Sequence, residues 1–88
     1  MPIISCFFGI VVTMRHNDHP PAHFHAAYQG FEATIAIKDG SVMHGRLPRT
    51  AARIVKEWTL THQTELINNW NLAQALMPLV MIKGADND

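Results

Sequence analysis

Two alternating stretches on either side of Gln29 and Gly30 constrain the fold more than any other feature. Residues 23–29 and 31–37 each place apolar side chains at every second position, which is the pattern of half-buried β-strands. A two-residue turn at Gln29-Gly30 joins them into a hairpin with one wholly apolar face. The apolar cross-strand pairs are Tyr28 with Phe31, Ala26 with Ala33 and Phe24 with Ile35. An antiparallel sheet with one face to be covered is therefore predicted.

The N-terminal segment predicts a further strand. Residues 3–14 are apolar, rich in β-branched and aromatic side chains and free of helical periodicity, which indicates one strand buried on both faces. Gly9 marks a bulge or bend within this strand. Cys6 is the only cysteine, so it can form no intrachain disulfide, and it is predicted to be an inert buried thiol.

The segment that follows Gly40 and ends at Leu47 predicts another strand, whose register depends on the turn before it. A two-residue turn would bury His44 and Arg46 against the first hairpin. A three-residue turn with Gly40 in the left-handed region instead puts Met43 and Leu47 inside. The second register is favoured because it buries apolar side chains.

The C-terminal half carries two apolar sets with helical spacing, preceded by Pro48, which suits the start of a helix. The sets are Ala51, Ile54, Val55 and Trp58, then Leu66, Ile67, Trp70, Ala73 and Met77. One straight helix through both would run over ~40 Å, too long for a domain with a radius of gyration near ~13 Å. A break or kink is therefore predicted within residues 59–64, and one kinked helix or two helices both remain open. Pro78 ends the helical part, and residues 79–82 are expected to dock as a short extended segment.

These elements predict an α+β fold, with a small antiparallel sheet of about four strands in the N-terminal half packed against two C-terminal helices. Residues 1–83 are assigned to a single domain and residues 84–88 to a frayed tail. Seven basic and seven acidic side chains balance, which excludes a strongly basic nucleic-acid binder. The N-terminal apolar run follows no basic region and is much shorter than the ~20 residues of a membrane-spanning helix. A cytoplasmic protein without a membrane partner is expected.

Histidines are concentrated in one segment, since four of the six lie between positions 16 and 25. A His-x-His pattern on a strand puts both rings on the same face, here the face opposite the apolar one. The hairpin register places Thr34 opposite His25, with Glu32 diagonal to it. The polar side chains predicted for this face are His23, His25, Glu32, Thr34, His44 and Arg46.

This group of side chains allows three interpretations. As a metal site, His23 and His25 with His19 or Glu32 supply the three protein ligands of a catalytic zinc. As a metal-free acid/base site, one imidazole takes a proton while another or Glu32 supplies one, and Arg46 holds a phosphate. As structure, the rings only hydrogen-bond the diproline loop.

A basic row begins at the end of the last predicted strand and continues into the first helix. It consists of Arg46, Arg49, Arg53 and Lys56, of which the last three share one helix face. The row is either the solvated side of an amphipathic helix or a contact with RNA phosphates or an acidic partner segment.

Several short motifs together resemble a known family. They are Met-Pro-x-Ile-Ser-x-Phe-Phe-Gly-Ile-Val at the N-terminus, Asn17-Asp18-His19, Pro20-Pro21-x-His23-Phe24-His25-Ala26, Leu47-Pro48-Arg49, Glu57-Trp58 and Asn69-Trp70. They resemble the small prokaryotic family called domain of unknown function 4160 over nearly the whole chain. The usual family pattern is His-Asn-Pro-Pro-His-Phe-His, whereas here Ala22 separates the prolines from His23 and no asparagine precedes them.

The resemblance brings no established activity, but it implies a genetic context. The family's genes often lie beside another small domain of unknown function, which implies a two-gene bacterial toxin–antitoxin module and a small protein partner encoded nearby. The leading hypothesis is a toxin-like protein that acts on RNA as a metal-independent ribonuclease without a cofactor. On this hypothesis His23 and His25 exchange protons and Glu32 assists.

The remaining candidate residues have supporting roles in this hypothesis. Asp18 and His19 support the loop, and Arg46, Arg49, Arg53 and Lys56 contact phosphate or an acidic partner. The alternative is a non-catalytic protein-interaction or metal-binding module that uses the same histidine-rich segment. Zinc would then be bound by His19, His23 and His25.

Overall fold

The computed structural model describes residues 1–86 and consists of a five-stranded sheet followed by two helices. The strands are β1 (Ile3–Phe7), β2 (Ile10–Thr13), β3 (His23–Tyr28), β4 (Phe31–Ala36) and β5 (Val42–Gly45), and the helices are α1 (Arg49–Thr61) and α2 (Gln63–Gln74). Every strand pairs antiparallel with its neighbour in the chain, so the sheet order is β1-β2-β3-β4-β5. The predicted α+β class is confirmed.

The N-terminal segment forms two strands, so the prediction of one strand over residues 3–14 was wrong. The chain reverses at Phe8 and Gly9, whose φ angles are 51° and 78°. Phe7 then pairs with Ile10 across the turn. Glycine adopts such a positive φ without steric cost, and a hairpin here gives the sheet its fifth strand. The prediction of a buried Cys6 was also wrong, because Cys6 pairs with Val11 on the side of the sheet that the helices do not cover and is exposed.

The central β3–β4 hairpin has the predicted register. Tyr28 pairs with Phe31, Ala26 with Ala33 and Phe24 with Ile35. His25 lies opposite Thr34 on the other face, as the alternation requires. Phe24, Ala26, Ala33 and Ile35 are all buried in the core.

The second hairpin follows the prediction at one end and departs from it at the other. Thr34 pairs with His44, and Gly40 has a φ of 72°, both as predicted. An irregularity between Thr34 and Ile35 then shifts the pairing by one residue. Met43 is therefore only half buried and lies beside the histidine loop, so its predicted place in the core was wrong. Leu47 is buried, as predicted.

The C-terminal half forms two helices that meet at His62. A single helix over residues 49–74 would extend ~39 Å, beyond the longest dimension of the molecule, 33 Å. The break lies inside the predicted interval. The second helix ends at Gln74, before Pro78, and the predicted apolar positions Ile67 and Met77 are exposed. Within residues 1–86, no helix combines the length and the apolar character needed to cross a membrane.

The core lies between one face of the sheet and both helices. Trp58 of α1 contacts the rings of Phe7 and Phe24, with centroid distances of 4.9 and 5.7 Å. The helix side chains buried in this core are Ala51, Val55, Trp58, Leu66, Trp70 and Ala73. Among residues 1–86, no helix packs on the other face of the sheet, which we call the open face.

The chain after α2 returns to the sheet as an extended segment, as predicted for residues 79–82. The buried side-chain amide of Asn69 donates to the carbonyl of Val80 and accepts its N–H, both at 2.8 Å. These two hydrogen bonds satisfy the backbone of Val80, as a neighbouring strand would. Ile82 donates its N–H to the carbonyl of Ile4 and is buried. The residues assigned to a frayed tail include 87 and 88, which lie outside the described residues. Gly84 packs closely against β1, since a Cβ at this position would lie 2.8 Å from Phe7 Cβ.

Two glycines of the sheet allow a matched test of its packing. Both Gly45 and Gly30 have positive φ, 73° and 85°, so alanine is strained at either position. A Cβ at Gly45 would also overlap the carbonyl oxygen of Glu32, which accepts the N–H of Arg46, whereas nothing lies within 4 Å of a Cβ at Gly30. We expect Gly45→Ala to lower the free energy of unfolding by about 2–4 kcal/mol and Gly30→Ala by about 1–2 kcal/mol. Urea denaturation measures both, and equal losses would contradict the packing argument.

Candidate functional site

The histidine-rich loop between β2 and β3 is fixed to the end of α2. The backbone N–H of Asn17 bonds to the carbonyl of Ala73 at 3.1 Å, and the side-chain amide of Gln74 donates to the carbonyl of Asp18 at 2.8 Å. Pro20 and Pro21 have no N–H to donate to a sheet, which keeps the segment out of the strands on either side. The loop therefore holds a defined position beside the first residue of β3.

Three side chains of this segment converge. Asp18 Oδ2 lies 2.9 Å from His23 Nε2 and 3.8 Å from His25 Nε2. All three potential ligand atoms lie within 4.8 Å of one another. His23 and His25 come from alternate positions of β3, and the loop supplies Asp18 from the side. We refer to Asp18, His23 and His25 as the Asp-His-His cluster.

The backbone determines how the cluster's members are oriented. His23 Nδ1 lies 2.8 Å from the carbonyl oxygen of Pro21, which can only accept, so Nδ1 carries a proton and donates it. His23 Nε2 therefore turns toward Asp18. The carboxylate is oriented in the same manner, because the N–H of His19 donates to Asp18 Oδ1 at 2.8 Å and leaves Oδ2 for the histidines.

Burial differs between the two histidines. His23 is 9% exposed, and its ring centroid lies 5.2 Å from that of Trp70. Trp70 of α2 therefore covers the ring of His23, although His23 occupies an open-face position of β3. His25 meets His23 edge to face, at 5.4 Å and 86°. Its Nδ1 lies 3.5 Å from Thr34 Oγ1. Its Nε2 is buried and has no hydrogen-bond partner within residues 1–86.

The electrostatics of the cluster favour an ionised aspartate and a neutral His25. Burial opposes ionisation of Asp18, but the hydrogen bonds from His19 and His23 outweigh it and hold its pKa below the ordinary value. Burial lowers the pKa of the His25 ring, and the charges of Arg15 and His23 lower it further against the opposing effect of Asp18. A neutral imidazole and a carboxylate are both metal ligands.

The open face of the sheet forms a groove on which the cluster borders. It consists of two recesses of about 330 and 290 Å³ that share Arg15, His25, Thr34 and His44 in their linings. The second recess also reaches Asp18 and His23, and the first reaches Glu32. Each volume is near the lower end of the ~300–1,000 Å³ typical of small-molecule pockets. A larger cavity of about 480 Å³ lies elsewhere, between α1 and the C-terminal segment.

The structure brings together only some of the residues singled out from the sequence. His23, His25 and Asp18 meet, whereas the ring of His19 is exposed and is not among the clustered ligand atoms. Glu32 pairs with Ala27 and lines the recess that Asp18 does not reach.

The predicted basic row lies apart from the cluster. The guanidinium carbon of Arg46 is 5.3 Å from the ring centroid of Phe31, and Arg53 forms an exposed ion pair with Glu57 at 3.4 Å. Arg49 and Lys56 are exposed on α1. None of these four residues lines the groove in the described part of the chain.

Arg15 is a groove residue that the sequence analysis did not select. On β2, Val11 and Thr13 lie on the open face, where they pair with Ala27 and His25. The next residue, Met14, is buried in the core. Continuing this alternation by one step puts Arg15 on the histidine side. This alternation is present in the sequence, but it can be extended to Arg15 only when residues 10–13 are known to form a separate strand.

The position of Arg15 predicts how the ring of His25 titrates. In metal-free protein we expect the His25 midpoint to lie below the ordinary ~6.5 of histidine. Removing the nearby cation in Arg15→Gln favours the protonated ring and should raise the midpoint, while Arg53→Gln should not change it. Histidine ring signals in ¹H–¹³C correlation spectra measure this, and equal midpoints in wild type and Arg15→Gln would contradict it. Because the unfolded chain binds this proton more readily, the shift also lowers stability as the pH falls below about 6.5.

Comparison with known proteins identifies the family. A family model described as Domain of unknown function (DUF4160) matches residues 9–71 of the chain, which includes the Asp-His-His cluster, both strands that border it and most of the helical region. Comparison with curated proteins and with solved structures gave no match. The match covers well over half of the 88 residues and agrees with the motifs quoted above, and the chain therefore belongs to the DUF4160 family.

Proposed function

We propose that this protein binds a divalent transition metal ion at Asp18, His23 and His25. The observation that carries the proposal is the convergence of three ligand atoms, one of which, His25 Nε2, is buried without a hydrogen-bond partner among the described residues. Leaving a buried ring nitrogen without a hydrogen-bond partner costs about 1–3 kcal/mol. A metal ion between the three atoms removes this cost.

Proton placement at His23 supports the same conclusion. His23 Nδ1 donates its proton to the carbonyl oxygen of Pro21. In the neutral ring Nε2 therefore carries no proton, and its lone pair faces Asp18 Oδ2 at a distance of 2.9 Å. Two acceptors at this distance need a cation between them or a proton on one of them. Donation of one ring N–H to a backbone carbonyl is also the usual way in which metal-binding histidines are oriented.

Distances and ligand types fit a small divalent ion. Ligand atoms around a tetrahedral zinc lie ~3.4 Å apart, and the two distances from Asp18 Oδ2, 2.9 and 3.8 Å, bracket this value. Two histidines and one carboxylate are a ligand set of catalytic zinc and of non-haem iron(II), and in both a coordination position stays open. Oxygen-only cations such as Mg²⁺ are disfavoured because two of the three ligands are imidazoles.

The metal-free ribonuclease hypothesis has less support from the geometry. It needs His23 as a proton carrier open to substrate, but both ring nitrogens of His23 have protein partners and the ring is buried. It also needs Glu32 beside the histidines, and Glu32 borders the other recess. Contact of Arg46, Arg49, Arg53 and Lys56 with RNA or with an acidic partner encoded nearby stays a prediction.

Metal addition should stabilise the wild-type protein. Binding only to the folded state at a free metal concentration of 100 times Kd adds ~2.7 kcal/mol. We therefore expect zinc, and cobalt(II) as a spectroscopic probe, to raise the Tm of chelator-treated protein, with visible cobalt bands that report imidazole and carboxylate ligands. A Tm and a spectrum unchanged by either metal would mean that the cluster is only an imidazolium–carboxylate pair.

Substitution of the ligands should abolish this effect without unfolding the protein. His25→Ala removes the ligand with no competing protein bond and should weaken zinc binding by more than the ~10–100-fold that loss of an outer partner of a ligand causes. His16→Gln is the matched control, since His16 lies in the same loop but bonds to the carbonyl of Met77. Isothermal titration with zinc measures both variants, and retained affinity in His25→Ala would contradict the assigned ligand set.

A further inference from the structure

Arg15 is a cation in the lining of the groove on the open face of the sheet. Arg15 lines both recesses, and within residues 1–86 no carboxylate lies within ion-pair distance of its guanidinium. Its Nε donates to the sulfur of Met1 at 3.0 Å, which is a weak acceptor that a stronger one can replace. The guanidinium is therefore available to a ligand in the groove.

A metal in the Asp-His-His cluster would make this region positive. Without metal the charges of Arg15 and an ionised Asp18 cancel, and with a divalent ion the same two residues and the metal carry a net charge of +2. Glu32 is the other acid that lines the groove, and it borders only the recess that Asp18 does not reach. The positive region is thus the recess of about 290 Å³ next to the cluster.

Arg15 and His44 of β5 line this recess together with the Asp-His-His cluster. Arg15 offers a planar fork of N–H donors, and a metal in the cluster would offer an open coordination position. His44 is exposed and lies across from Thr34. The strands β3 and β4 lie between its strand, β5, and β2, which Arg15 follows. A site with three separate contact groups suits a tetrahedral oxyanion better than a planar carboxylate, because a carboxylate has only two oxygens.

We propose that this recess binds a phosphate group, with one oxygen on the metal held by Asp18, His23 and His25 and another on the guanidinium of Arg15. The inference rests on the proposed metal site and names the class of ligand that the site takes. His44, which lines the same recess, is the candidate donor to a third oxygen. A phosphate monoester or inorganic phosphate, as a dianion, matches the charge of +2 more closely than a diester does.

The test uses the 88-residue chain loaded with cobalt(II), and phosphorus NMR. Bound cobalt(II) broadens the ³¹P signal of a phosphate that coordinates it, so inorganic phosphate should broaden in the presence of loaded wild-type protein and stay sharp with chelator-treated protein. Phenyl phosphate and dimethyl phosphate serve as monoester and diester probes, and acetate serves as a planar competitor. Broadening of either ester supports the site and identifies its source, whereas equal competition by acetate overturns the preference for phosphate.

The matched variants separate this inference from the metal proposal. Arg15→Gln should weaken phosphate binding at least about tenfold while metal affinity is retained or raised, because a cation near the metal is removed. Arg15→Lys should keep part of the affinity, and Lys38→Gln should change nothing, because Lys38 is exposed and does not line the groove. Two outcomes would contradict the phosphate site but not the metal site. One is metal binding with the same phosphate affinity in Arg15→Gln as in wild type, and the other is metal binding without any broadening of the ³¹P signal. Absence of cobalt binding would overturn both.

Discussion

Burial of one face of the sheet by both helices is the constraint on which the rest of this structure depends. Trp58 links the layers, since its ring packs on Phe7 and Phe24 and its indole N–H donates to the carbonyl of Lys83 at 2.8 Å. Because the helices cover one face only, alternation along β3 and β4 commits every second side chain to the opposite, open face. His25 and Thr34 lie on that face because Phe24 and Ile35 are needed in the core.

The Asp-His-His cluster is oriented mainly by backbone groups, which distinguishes it from a chance meeting of surface side chains. Pro21 positions the ring of His23, the N–H of His19 positions the carboxylate of Asp18, and Gln74 holds the loop itself. Ligands oriented in this way lose little conformational freedom when they bind an ion. The proposed metal site depends on this orientation of the ligands. The proposed phosphate site depends in turn on the metal, because the metal would supply the positive charge that Arg15 and Asp18 together lack.

Predictions from the sequence succeeded where two independent signals agreed. At Gln29-Gly30 the turn length and the apolar alternation specify the same register, and the structure has it. Residues 3–14 gave a single signal, since an apolar segment without alternation does not reveal a reversal at Phe8-Gly9. The error at Met43 has a related cause, because a local shift in strand pairing leaves no mark on hydrophobic periodicity. The break between the helices was predictable from length, but the exposure of Ile67 depends on how α2 packs.

The sequence by itself determined the α+β class, the central hairpin with its register, and the placement of His23 and His25 on one side of a strand, because these follow from periodicity and turn chemistry within a few residues. Only the tertiary structure decided that Asp18, and not His19 or Glu32, joins the two histidines. It also decided that Arg15 borders the groove while the basic row on α1 does not. The physical reason is that an irregular loop has no repeating geometry from which side-chain directions can be extrapolated. Its conformation depends on hydrogen bonds to Ala73 and Gln74, more than fifty residues away along the chain.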